Sequence, residues 1–227
     1  SSHLVEIFRA LFLAAEDAEI DLEEVIRRNV TKVISRWPIE VKYTQPFDEE
    51  FEVDEQLPRH IEMEIEERTV GGKTFVVQKW NGVIVGDRLT DNRIIQDDYR
   101  FHDVFHLAYL AILGWSPVTR SLLKLKRKSK PEIDENQDGA RAILIEEGVA
   151  TLVFNHGLKL KLYEIVDSVD YSLLKLIKEF VTGYEVEACP LWQWEKAILE
   201  GFRVFRYLAE HRSGRVIVDL PSRSISV

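Results

Sequence analysis

Between residues 61 and 66, Ile61, Met63 and Ile65 alternate strictly with Glu62, Glu64 and Glu66. An extended strand, whose side chains point to opposite faces in turn, puts three such apolar groups on one side and the carboxylates on the other. The segment is therefore expected at a sheet surface, with its apolar face on a core and its glutamates in solvent. Gly71-Gly72 offers a tight turn, and the β-rich runs 74–77 and 82–85 offer partners. The tail alternates again at Val216, Val218 and Leu220, which predicts a last strand joining that sheet.

Elsewhere the period is helical. Residues 4–15 and a second helix from about Leu22 predict an N-terminal helical hairpin, with Asp21 as N-cap, Glu23 and Glu24 in the first turn and Pro38 beyond the end. Further helices are expected over about 99–113, 138–155, 170–182 and 191–210, punctuated by Gly114, Pro117, Pro131, Gly157, Gly183 and Pro190. The fold class read from these patterns is α+β, mostly helical with a small antiparallel sheet. Its expected divisions are the hairpin at 1–44, an acidic and aperiodic linker at 45–58, and a domain at 59–227.

Charge narrows the function classes. The chain of 227 residues carries a formal charge of −9, and residues 46–67 hold ten acids against the single base Arg59. The remainder is balanced, so general nucleic-acid binding, which needs a basic footprint, is not expected. One local run is basic: Arg120, Lys124, Lys126, Arg127, Lys128 and Lys130, with no acid among them. It reads either as a solvated face or as a receptor for phosphate. No apolar run approaches membrane-spanning length, and the lone Cys189 fits a reducing compartment, so the expected location is cytoplasmic.

His102 and His106 lie four residues apart with Asp103 between them, a spacing that projects all three to one side of a helix. Such imidazoles can share a metal ion or a phosphate, with the carboxylate ligating or orienting. Glu146-Glu147 stands inside a helix that is apolar nearly all round, and a buried carboxylate is costly unless paired or metal-bound. The alternatives are a structural ion pair with Arg141 or Arg100 and a functional cluster with the His-Asp-His helix. Asp138 reads as the N-cap of the glutamate helix and as a secondary ligand candidate, while Asp87, Asp91 and Asn92 are turn formers with the same secondary status. Trp192 and Trp194 read as packing residues.

Tyr99-Arg100-Phe101-His102-Asp103-Val104-Phe105-His106, Gly114-Trp115-Ser116-Pro117, Lys126-Arg127-Lys128-Ser129, Asp138-Gly139-Ala140-Arg141 and Glu146-Glu147-Gly148 occur in this order. This set, with the 86–92 loop before it, resembles the C-terminal domain of MazG-like nucleoside triphosphate pyrophosphohydrolases over roughly residues 59–220. The stretch from Ile20 to Val25, with Asn29 and Lys32, is similar to the last helix of the MazG module that precedes that domain. The resemblance implies an oligomeric, metal-dependent enzyme using magnesium or manganese on nucleoside triphosphates. It implies helical carboxylates in the MazG module, where Glu6 matches an acidic position but Ser2 and His3 replace expected glutamates. The expected function is therefore nucleotide handling, with metal-dependent phosphohydrolase chemistry in the C-terminal domain. Its residues would be Glu147, His102 and His106 as catalytic groups and Asp103, His106, Glu146 and Glu147 as metal ligands. Lys126, Arg127, Lys128 and Arg141 would receive phosphate, with Asn29 and Lys32 secondary. The alternative is a non-catalytic nucleotide-binding or assembly module.

Overall fold

The computed structural model describes residues 2–227 and divides the chain into two compact units, Ser1–Val41 and Lys42–Val227. The first holds α1 (Ser2–Asp17) and α2 (Leu22–Arg36), joined by a short turn. Asp21 caps α2 as its position predicts, its carboxylate accepting from Glu23 N and Glu24 N. Ala15 alone among the described residues of this unit is buried, and Leu4, Val5, Ile7, Phe8, Leu11, Phe12 and Leu13 are each more than half exposed.

The second unit contains the sheet. β1 (His60–Val70) pairs antiparallel with β2 (Lys73–Trp80), and β2 pairs with β3 (Val83–Leu89). The alternation at residues 61–66 has the expected outcome, since Ile61, Met63 and Ile65 are buried while Glu62 and Glu64 are exposed. Gly71 and Gly72 turn the hairpin with positive φ, a conformation that costs glycine nothing sterically. At the far end of the chain β4 (Ser213–Asp219) returns to β1 with Ile61 opposite Val218 and Met63 opposite Val216. β5 (Ser224–Ser226) adds an edge, giving the order β3-β2-β1-β4-β5.

Between the strands run α3 (Asp103–Leu113), α4 (Pro117–Leu123), α5 (Pro131–Asn136), α6 (Ala140–Lys159), α7 (Tyr171–Phe180) and α8 (Leu191–His211). α3 is buried from Val104 to Leu113, as a helix apolar nearly all round must be, and packs on α8. Gly114, with φ of 70°, ends it. Gly157 punctuates nothing: α6 runs through it, and a Cβ there would stand 2.2 Å from Phe202 Cζ. Its role is the close approach of α6 and α8. Trp194 is fully buried against Tyr109 and Trp115, in line with a packing role.

Three local expectations need correction. Residues 45–58 do not form a solvated linker, because Asp48 and Leu57 are buried and the segment belongs to the second unit. Arg127 does not face solvent or phosphate: it is fully buried, with Asp138 bound to its backbone N (2.8 Å) and guanidinium (2.7 Å), and Glu185 in a bidentate pair at 2.9 Å. Asp138, spent on that arginine, is not the cap of α6, whose N-cap is Gly139 without a side-chain bond.

One acid of the acidic run and one base of the basic run also pair inside the fold. Arg120 Nη2 donates to Asp48 Oδ2 (2.7 Å), Arg59 Nη2 lies 2.8 Å from Asp48 Oδ1, and Ser129 N donates to Glu55 (2.7 Å). Burial would raise the Asp48 pKa, but Arg59, the Leu57 amide and Arg120 together hold it below its ordinary value. Its contribution to stability is therefore complete above the ordinary carboxylate range and is lost as pH falls through and below it. Asp48→Ala is expected to cost about 3–5 kcal/mol at pH 7, because it leaves buried arginines unpaired. In urea unfolding followed by circular dichroism, the difference from wild type should shrink at pH 3.

Candidate metal centre

The start of α3 and the middle of α6 face each other across the second unit. A one-turn 3-10 segment, Tyr99–Phe101, leads into α3 and sets its first turn. Tyr99 O accepts from His102 Nδ1 at 2.8 Å, and the Tyr99 ring stacks on the His102 imidazole with centroids 4.2 Å apart. One turn later His106 Nδ1 donates to Glu146 Oε1 at 2.9 Å. A carbonyl and a carboxylate only accept, so both imidazoles carry a proton on Nδ1 and present Nε2 to the space between the helices.

Neighbouring residues on a helix point about 100° apart, which separates the two glutamates completely. Glu146 points inward and is fully buried; the Glu147 side chain stays 39% exposed. Glu146 also accepts from Ser116 Oγ (2.7 Å) and Val118 N (2.8 Å), a hydroxyl and an amide at the capped start of α4. Glu147 Oε2 lies 3.7 Å from His102 Nε2 and 3.5 Å from His106 Nε2. Asp103 Oδ1 is 3.2 Å from His102 Nε2, and Gln78 from β2 donates to the other Asp103 oxygen.

Burial alone would lower the His106 pKa, but the charge and hydrogen bond of Glu146, joined by Glu147, hold it well above the ordinary imidazole value. Burial would likewise raise Glu147, yet His102 and His106 hold its carboxyl well below the usual carboxylate range. Negative charge at Glu147 is thus favoured at neutral pH. One atom stands out: His106 Nε2 is buried and makes no hydrogen bond. Ligand atoms of His102, His106 and Glu147 all lie within 4.8 Å of one another, so these three can hold one ion. Glu146 orients His106 from behind instead of joining them.

Residues 42–227 match the family model of the MazG C-terminal domain. The chain belongs to that family. No curated protein and no solved structure matches it. The match to the MazG C-terminal domain begins before the 59–220 span of the resemblance and takes in the acidic segment, in keeping with the burial of Asp48 and Leu57.

The other sequence candidates of this MazG C-terminal domain lie apart from the three ligand groups in function. Asp91 is buried and occupied by Arg100 Nη1 (2.7 Å) and the amides of Asp97, Asp98 and Arg100. Arg100 is spent on Asp91, Glu67 and Asp98, so neither it nor the exposed Arg141 pairs with the glutamates. Asp87 is exposed on β3, not in a loop, and Asn92 is exposed with positive φ. Lys126 is half-buried and Lys128 exposed, while Asn29 and Lys32 are exposed on α2 in the other unit. Cys189 is buried, and burial pushes its thiol up to about 11, an inert structural group.

Sequence reasoning missed Tyr99, Gln78 and Ser116. Ser116-Pro117 carried a usable signal, a helix N-cap followed by proline at the first helical position. A cavity of about 200 Å³ is walled by Tyr99, Thr151, Phe154, Asn155 and Arg93, and Thr151 stands one helical turn from Glu147. The two glutamates should respond differently to substitution. Glu146→Ala is expected to cost about 3–5 kcal/mol by stranding His106, Ser116 Oγ and Val118 N, whereas Glu147→Gln should change stability by less than about 1 kcal/mol. Urea denaturation of the two variants checks this.

Proposed function

We propose that the MazG C-terminal domain of this chain is a metal-dependent phosphohydrolase acting on nucleoside triphosphates. The observation that carries this reading is the convergence of ligand atoms of His102, His106 and Glu147 to within 4.8 Å of one another. The buried His106 Nε2 makes no hydrogen bond, with Glu147 Oε2 3.5 Å away, and an ion between the two would satisfy both. Bound there, a divalent cation would polarise a phosphoryl group and lower the pKa of a water. His102, His106 and Glu147 would hold it.

The remaining roles follow from position. Asp103, beside His102 and restrained by Gln78, is the group placed to take a proton from an attacking water. Tyr99 and Glu146 lock the imidazoles so that little rearrangement accompanies binding. Lys126, Lys128 and Arg141 remain candidate cations for phosphate on charge alone, with Arg127 removed from that set. The apolar surface of α1 supports self-association, and the buried thiol accords with a cytoplasmic setting. No described helix is long and apolar enough to cross a membrane.

A product assay tests this reading. The full chain, supplied with divalent cation and a panel of nucleoside triphosphates, is expected to release phosphate or pyrophosphate. Glu147→Gln should lower turnover by about 100-fold or more while the protein stays folded. Absence of turnover in both proteins would leave a nucleotide-binding or assembly module instead.

A further inference from the structure

We propose that the centre formed by His102, His106 and Glu147 takes a first-row transition ion, from manganese to zinc, and discriminates against magnesium. The inference rests on reading this cluster as a metal centre, though not on the nucleotide substrate. It separates this domain chemically from the magnesium-using carboxylate centre that the MazG resemblance implies for the preceding module.

Ligand type decides the class. Two of the three converging donors are imidazole nitrogens, and the third is one carboxylate. Magnesium demands six near-octahedral oxygens, gives up water reluctantly and is held by carboxylates and phosphates. Imidazole suits iron, zinc and their neighbours, and a set of two histidines and one carboxylate leaves positions open for water or substrate.

Preorganisation points the same way. A histidine that binds metal through Nε2 usually donates its Nδ1 proton to a carboxylate or backbone carbonyl, which fixes both tautomer and ring orientation. Both partners are present: Tyr99 O for His102 at 2.8 Å and Glu146 Oε1 for His106 at 2.9 Å. The first is braced by ring stacking and the second by two further donors to Glu146. Two donors about 2.1 Å from a tetrahedral ion stand about 3.4 Å apart. The Glu147 oxygen lies 3.5 and 3.7 Å from the two Nε2 atoms, close to that separation, and all three ligand atoms lie within 4.8 Å of one another.

A second observation is that His106 Nε2, at 1% exposure of its residue, makes no hydrogen bond and has only the Glu147 carboxylate, 3.5 Å away, in front of it. The same helix shows how this protein treats a purely structural carboxylate, since Glu146 has a partner on each oxygen.

The full chain, stripped with chelator and dialysed, is titrated with Zn²⁺, Co²⁺, Mn²⁺ and Mg²⁺ by calorimetry, with the visible spectrum of Co²⁺ as a direct report on its ligands. One equivalent of Zn²⁺ or Co²⁺ should bind at least about 100-fold more tightly than Mg²⁺, and His102→Ala and Glu147→Gln should each weaken it about 10-fold or more and alter the Co²⁺ bands. These two positions are chosen because His106→Ala disturbs a buried network, and circular dichroism confirms that both variants fold. Equal affinity for Mg²⁺, or Zn²⁺ binding undiminished in both variants, overturns the assignment. Stoichiometric Zn²⁺ binding without nucleotide turnover supports it and removes the phosphohydrolase reading. Turnover with Mg²⁺ alone and no stoichiometric transition-metal binding does the reverse.

Discussion

The carboxylate of Glu146 holds three helices in register. Fully buried, it receives His106 from α3, Ser116 and the Val118 amide from the start of α4, and itself belongs to α6. Each donor removes part of the large cost of placing a charge out of water, and together they leave neither oxygen unsatisfied. The geometry is therefore narrow: α4 must start where its free amide meets α6, and α3 must present His106 at the same point. A looser packing of any of these helices would strand a buried charge. The consequence reaches outward, because the orientation of His106 fixes the direction of its second nitrogen.

A second electrostatic constraint ties distant segments of the chain together. Arg120 and Arg127 are each nearly or fully buried, and their partners Asp48, Asp138 and Glu185 come from segments far apart in the chain. Such networks are not efficient sources of net stability, since desolvation offsets much of the attraction. They are strict about pairing, however. An arginine with five donors in a fixed fork accepts few arrangements, so the acidic segment 45–58 has to return to the 120–127 region for both to be buried.

The parts of the fold that were legible in the sequence are those governed by local periodicity. The alternation around Met63, the double-glycine turn and the cap at Asp21 depend on neighbours in the chain, and the structure agrees with each. Arg127 and Asp48 were misread for the opposite reason. A charged run gives the same local pattern whether it meets water or opposite charges elsewhere in the chain, as Arg120 meets Asp48 and Arg127 meets Asp138 and Glu185, and only the three-dimensional return distinguishes these cases. α4, α5 and β5 escaped notice because seven, six and three residues are too few to show a period. In the candidate site, the spacing of His102 and His106 and the apolar setting of Glu146-Glu147 were visible. Which glutamate turns inward was not, since their flanking residues are nearly alike; the partners Ser116 and Val118, thirty residues upstream, decide it.

That division of labour between adjacent glutamates is what gives the cluster its chemical character. If both pointed inward, two like charges would compete for one histidine; if both pointed outward, His106 would be buried without an anchor. One residue of helical rotation instead places a fixed, solvent-excluded carboxylate behind the imidazole and an accessible one in front of it. All three converging groups then stand on regular helix or its first turn, braced by backbone and buried side chains, with Asp103 held by Gln78 from the sheet. Donors on rigid elements keep their spacing, so any selectivity among ions at the proposed centre would be set by donor type and separation and not by a loop's ability to adapt. Two of the three converging groups are imidazoles, and the hydrogen bonds that orient them, to Tyr99 O and Glu146, also belong to the packing of the fold.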